Sequence, residues 1–210
     1  MLLLSLKLNR LFCVRKASCL FFFGLSLGSV SAQNVAQINN KPISSKEFMW
    51  AYKKSHNGIP STDYNSLLNY LDLFIDFKLK VMDAREMGMD KSSDYAEEVR
   101  TYEHALSNHK KVNNRVKEFD YLLNEYREGV LMFNVSEQKI WNKAQNDEQA
   151  VELFYKTNSK KYTQPLSEIR GQVIADYQES LEEAWLKKLH EKYSVKINDS
   201  ELHKLAKKSQ

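Results

Sequence analysis

Five histidines have the most direct claim to chemistry: His56, His104, His109, His190 and His203. None stands at a metal-ligand spacing from another with a carboxylate between them. His104 and His109 are five apart, which puts them on different faces of a helix. All five read as surface histidines. The acid pairs Glu97-Glu98 and Glu182-Glu183 sit in helical surroundings among lysines, as solvated faces with i,i+4 partners rather than as a general acid and base. The sequence has no glycine-rich phosphate loop and no Gly-x-Ser-x-Gly. It therefore predicts no catalytic residue, no metal ligand and no cofactor. What remains is apolar recognition. Trp50, Trp141 and Trp185, with tyrosines and methionines, are residue types that can line a peptide groove, and methionine suits surfaces that accept many sequences. Trp141 and Trp185 read as core. Met49, Trp50, Met87 and Met89 are the candidate peptide-binding residues.

The N-terminal segment changes the meaning of the composition. Met1 to Lys16 holds Lys7, Arg10, Arg15 and Lys16 and no acid; an apolar run from Ala17 to Val30 follows, and Val30-Ser31-Ala32 ends it with small residues. Residues 1–32 thus read as a secretory signal peptide. The apolar run is shorter than the roughly 20 residues of a spanning helix, so no stable membrane span is expected after cleavage. Cys13 and Cys19 are the only cysteines and leave with the leader, so the exported chain has no thiol nucleophile and depends on its core alone. Four of the 31 basic residues also leave, so 27 face 27 acids. That balance argues against a nucleic-acid partner, which needs clustered surplus charge.

The elements that must position the candidates are mostly helical. Val35 to Asn39 alternates as a half-buried strand, and Asn40-Lys41-Pro42 is read as a turn. Ser44 and Glu47 form a capping box ahead of a helix carrying Phe48, Met49 and Tyr52. Gly58 to Ser61 is a loop. The strongest helix runs from about Tyr64 to Met87, with Leu67, Leu71, Phe74, Ile75, Leu79, Val81 and Met82 near the helical period and Gly88 as its stop. A polar helix from Ser93 past His109 has only Tyr95, Val99, Tyr102 and Leu106 to bury, so it is expected to project as an arm or to exchange with a second copy, giving a homodimer. Further helices follow from Lys117, from Ser136 as a cap, from Asn146 or Asp147, and from Leu166 to Lys192. Tyr193 to Asn198 alternates as a second strand, and Asp199 or Ser200 caps a last helix. Residues 33–205 form one mainly α domain, its N-terminal segment 33–115 and its C-terminal segment 116–205, with a frayed tail at 206–210. An unpaired strand is untenable, so the two strands are expected to pair antiparallel as a small two-stranded sheet.

Two blocks resemble the SurA-like peptidyl-prolyl isomerase family of the Bacteroidetes envelope. Val35 to Ser44 with Glu47-Phe48, continued by Tyr70 to Lys80, looks like the family's N-terminal chaperone segment. Asn124 to Leu131, Ile140-Trp141, Phe154-Tyr155, Asn158, Tyr162, Ile169 to Gln178 and Tyr193 to Ile197 look like its C-terminal segment. The family's parvulin domain has no room between them: Tyr102 to Asp120 reads as helix without glycine or proline, and only a few residues separate Tyr162 from Leu166. The resemblance implies a SurA-like helical chaperone domain in the periplasm, binding unfolded polypeptides such as outer-membrane proteins without ATP, in an apolar helical cleft aided by strand addition. It carries over no catalytic residue. A dedicated envelope partner, or a full-length relative as partner, is one alternative; residual isomerase activity is the other.

Overall fold

A computed structural model describes residues 33–57, 61–110 and 116–207. The leader and part of the Gly58 to Ser61 loop lie outside them. Strand β1 (Asn34–Ile38) and strand β2 (Lys41–Ser44) form a hairpin closed at Asn39-Asn40, where Asn39 takes a left-handed φ of 52°. Then come α1 (Ser45–Ser55), α2 (Tyr64–Glu86), a 3-10 turn at Met89–Lys91, α3 (Ser93–Lys110), α4 (Val116–Ser136), a π-helical turn at Glu137–Trp141, α5 (Asn142–Asn146) and α6 (Glu148–Thr157). A 3-10 turn at Ser159–Lys161 leads to α7 (Leu166–Lys192), β3 (Val195–Ile197) and α8 (Asp199–Lys207).

The fold is mainly α, and the two anticipated strands do pair antiparallel: Ala36 faces Ile197, Gln37 faces Lys196 and Ile38 faces Val195. The sheet has three strands in the order β2-β1-β3, however, not two. Pro42, read as part of a turn, lies in β2, an edge strand, where a missing N–H is tolerated. Asn39 clasps the C-terminal strand twice: its N–H donates to Ser194 O (2.7 Å) and its Oδ1 accepts from Ser194 N (2.8 Å). On the central strand Val35, Ala36 and Ile38 are buried, and they join α1, α2, α4, α7 and α8 in one core. Ser45 Oγ donates to buried Glu201 Oε1 (2.9 Å), which ties the start of α1 to α8. A smaller cluster of Val151, Tyr162 and Val173 joins α6 to the N-terminal half of α7, whose C-terminal half carries Trp185 and Leu189 into the main core.

Several local expectations need correction. Ser44 Oγ accepts from Glu47 N (3.2 Å), but the Glu47 carboxylate goes to Lys78, so only half of the capping box is visible. Ser136 is buried in helical conformation without a capping bond, and the chain runs through it into the π turn. The cap of α8 is Asn198, whose Oδ1 accepts from Glu201 N (3.2 Å). α3 is not a lone arm. It lies along α4 with Val99 buried, and the rings of Tyr102 and Tyr126 stack at 3.8 Å. A four-residue apolar stripe suffices because α4 offers a matching one.

Gly88 ends α2 as expected, with φ 76°. Gly88→Ala is expected to cost about 1 kcal/mol, since a Cβ is disfavoured in that conformation even where space is free. Thermal unfolding followed by circular dichroism should show a fall of about 3 °C in Tm; no fall would contradict the strain argument.

Candidate functional site

α2 is apolar on two faces. Leu67, Leu71, Ile75 and Leu79 are buried in the core. Tyr70, Leu73, Phe74 and Phe77 stand at i, i+3, i+4 and i+7 and form a second stripe beside it. That stripe walls a groove of about 280 Å³, with Trp50 and Ala51 of α1 on one side and Tyr121, Asn124, Glu125, Glu128 and Gly129 of α4 on the other. Trp50 stacks on Tyr121 at 5.3 Å. Beneath the groove, buried Phe48 holds Tyr70 (5.8 Å) and Phe74 (6.1 Å) in place. Leu73, at the rim, is 67% exposed, although it is as apolar as the core leucines.

Charge lies under and around this apolar wall. Lys78 Nζ sits 5.0 Å from the centre of the Phe74 ring and pairs with both Glu47 and Glu128; Glu128 also takes Arg85 at 3.2 Å. The carboxylate of Glu128, 6% exposed, is thus matched by two cations, which offsets the cost of burying it. Lys54 lies over the Trp50 ring and pairs with Glu125, so the groove mouth is braced from α1 to α4.

A second, more open groove of about 540 Å³ lies on the other side of α4, lined by Glu98 and Tyr102 of α3 and by Tyr126, Val130 and Phe133 of α4. Phe133 is 53% exposed and meets Trp141 edge-on at 4.9 Å. Tyr126 Oη donates to Glu98 (3.2 Å); burial and then this bond push the phenol pKa up. Glu125 and Gly129 line both grooves. Gly129 has no heavy atom within 4 Å of the place a Cβ would occupy. In mid-helix it costs about 1 kcal/mol relative to alanine.

Of the four candidate residues, only Trp50 lines a groove. Met49 and Met89 are half-buried against the core, Met49 because it neighbours the inward face of Phe48 and Tyr52, Met89 because Gly88 turns the chain back. Met87 is exposed, at 43%, but lines neither groove. Trp185 is core, and Trp141 is half-buried against it. The sequence reading missed Tyr70, Leu73, Phe77 and Tyr121, although the spacing of the first two with Phe74 and Phe77 was visible. His190 pairs with Asp76 (2.7 Å), and His203 stacks on Tyr64 at 4.2 Å. Among the described residues no three of His, Cys, Asp and Glu gather to hold a metal. Among them, too, no helix is long and apolar enough to cross a membrane. No family model, no curated protein and no solved structure matches the chain.

Proposed function

We propose that this chain is an ATP-independent, chaperone-like binder of unfolded polypeptide, acting in the envelope of a Gram-negative cell after export and serving clients such as outer-membrane proteins. The observation that carries the reading is the open aromatic groove of α1, α2 and α4, which leaves Leu73 67% exposed beside Trp50, Tyr70 and Phe74. A folded chain gains nothing by keeping Leu73 in water beside half-buried aromatic rings, and apolar clefts of this kind serve binding. The resemblance of the Val35 to Ser44 and Asn124 to Leu131 blocks to SurA-like chaperone segments supports the same conclusion.

The mechanism is burial of client side chains. One leucine or phenylalanine side chain taken from water contributes about 2 kcal/mol, far short of millimolar binding. Useful affinity then needs several such contacts along an unfolded client. A client that folds withdraws them, so release requires no nucleotide.

The purified protein is expected to suppress aggregation of several unrelated unfolded proteins, measured by light scattering. Trp50→Ala and Leu73→Ser should each at least halve that suppression, Leu73→Ser with little change in Tm and Trp50→Ala with the modest fall that loss of its stack on Tyr121 brings. If both variants protect as well as the wild type, the groove is not the binding site. Protection of one envelope protein alone would indicate a dedicated partner instead.

A further inference from the structure

The two grooves meet at Gly129, and nothing in the fold calls for a glycine there. Its backbone is not among those with positive φ, and open space lies where its Cβ would be. An alanine would fit and would strengthen α4. What the missing Cβ does provide is a low saddle on the helix, where another backbone can approach closely. One exposed apolar side chain flanks each side of that saddle: Leu73 at the first groove and Phe133 at the second.

Charge indicates the kind of segment that fits. The two linings together hold four carboxylates, Glu47, Glu98, Glu125 and Glu128, against two ammoniums, Lys54 and Lys78, although acids and bases balance over residues 33–210. Three of the four already have cations: Glu47 takes Lys78, Glu128 takes Lys78 and Arg85, and Glu125 takes Lys54. Glu98 accepts only the Tyr126 hydroxyl and has no cation partner among the described residues. The uncompensated acid therefore stands at the second groove.

We propose that the two grooves form one track for an extended, basic and apolar polypeptide segment, which crosses α4 over Gly129 and seats one bulky side chain in each groove. The proposal rests on the binding reading above and specifies its ligand. A helix is roughly 10 Å across and an extended chain advances about 3.3 Å per residue. Side chains four apart project on the same side of a strand and span that width, with small residues between them at the crossing. Linking two weak anchors makes the second contact intramolecular, so affinity rises without any new kind of contact.

The test uses the peptide Lys-Phe-Ser-Ala-Ser-Phe-Lys, titrated into the full chain by NMR. A second peptide has one Phe replaced by Ser, and a third has both Lys replaced by Glu. The wild type should prefer the two-Phe peptide over the one-Phe peptide by about tenfold and should bind the glutamate version more weakly. Gly129→Leu should reduce the tenfold preference to about one. Gly129→Ala should raise Tm by about 3 °C yet weaken the two-Phe peptide severalfold. A Gly129→Leu protein that keeps the tenfold preference would show two separate grooves and overturn the track. So would a Gly129→Ala protein of lower Tm, since the glycine would then serve the fold. Equal binding of the lysine and glutamate peptides would overturn the basic ligand. If the wild type binds none of the three, the binding reading itself fails.

Discussion

Asp83→Ala is expected to destabilise the protein by about 3 kcal/mol, measured by urea unfolding. The carboxylate is 6% exposed; Trp185 Nε1 donates to its Oδ2 at 2.9 Å, Lys139 Nζ pairs with the same oxygen, and Lys192 lies 3.6 Å from Oδ1. It thereby pins α2 to the π turn and to α7. Lys139 and Lys192 are partly exposed and can turn to water, which keeps the loss at the lower end for a broken buried pair. The indole N–H has no such escape; Trp185→Phe, which removes that donor and part of a core ring, should cost about 2 kcal/mol. A loss below 1 kcal/mol in Asp83→Ala would mean that packing alone fixes these elements. The network also sets an acid limit. Burial raises the Asp83 pKa, but bonds from Lys139 and Trp185 and the charges of Lys139 and Lys192 outweigh it, so the group titrates below its ordinary value. A carboxylate held down in this way stabilises the fold above the unfolded value of about 3.9 and loses that contribution as pH falls through the lower folded value. The urea midpoint should fall below pH 4, and Asp83→Asn should remove part of that fall.

Phe48→Ala should cost about 4 kcal/mol. The ring is 0% exposed and contacts Tyr52 (6.2 Å), Tyr70 and Phe74, so truncation leaves a void that these large neighbours fill poorly. Because Tyr70 and Phe74 also wall the first groove, peptide binding should weaken even under conditions where the variant is still folded. Leu73→Ala makes the contrast: with its side chain mostly in water, it should change stability by less than about 0.5 kcal/mol. If the two variants were equally unstable, the assignment of Phe48 to the core and Leu73 to the rim would be wrong.

The helices were legible where one apolar stripe faced one core. α2 runs over the range its periodicity set, and Gly88 and Asp147 mark ends by their own chemistry, whereas α7 keeps its expected bounds but breaks helical geometry at Ile169 and serves two clusters. Errors arose where one residue type serves two geometries. Pro42 signals a turn in a central strand but is tolerated on an edge; Ser136 can cap a helix or be buried within one. α3 looked unsupported because its partner stripe lies more than twenty residues on, in α4, and periodicity along one segment cannot show which segment it meets. The groove was hidden for a related reason. Tyr70, Leu73, Phe74 and Phe77 overlap the core stripe of α2, and in one dimension a broad apolar face looks like a single better core. Only the placement of α4 shows that part of that face is left uncovered.

The pairing of β1 with β3 joins the two ends of the folded domain, so it orders the last steps of folding. Ala36 waits for Ile197, 161 residues later, so in a chain that emerges N-terminus first the sheet is among the last parts to close. Until then the middle strand of the sheet has one bare side, and the main core lacks Leu202 and Tyr193. A product cut short before Tyr193 would keep most of its helices yet present an open backbone edge, which invites pairing with other chains.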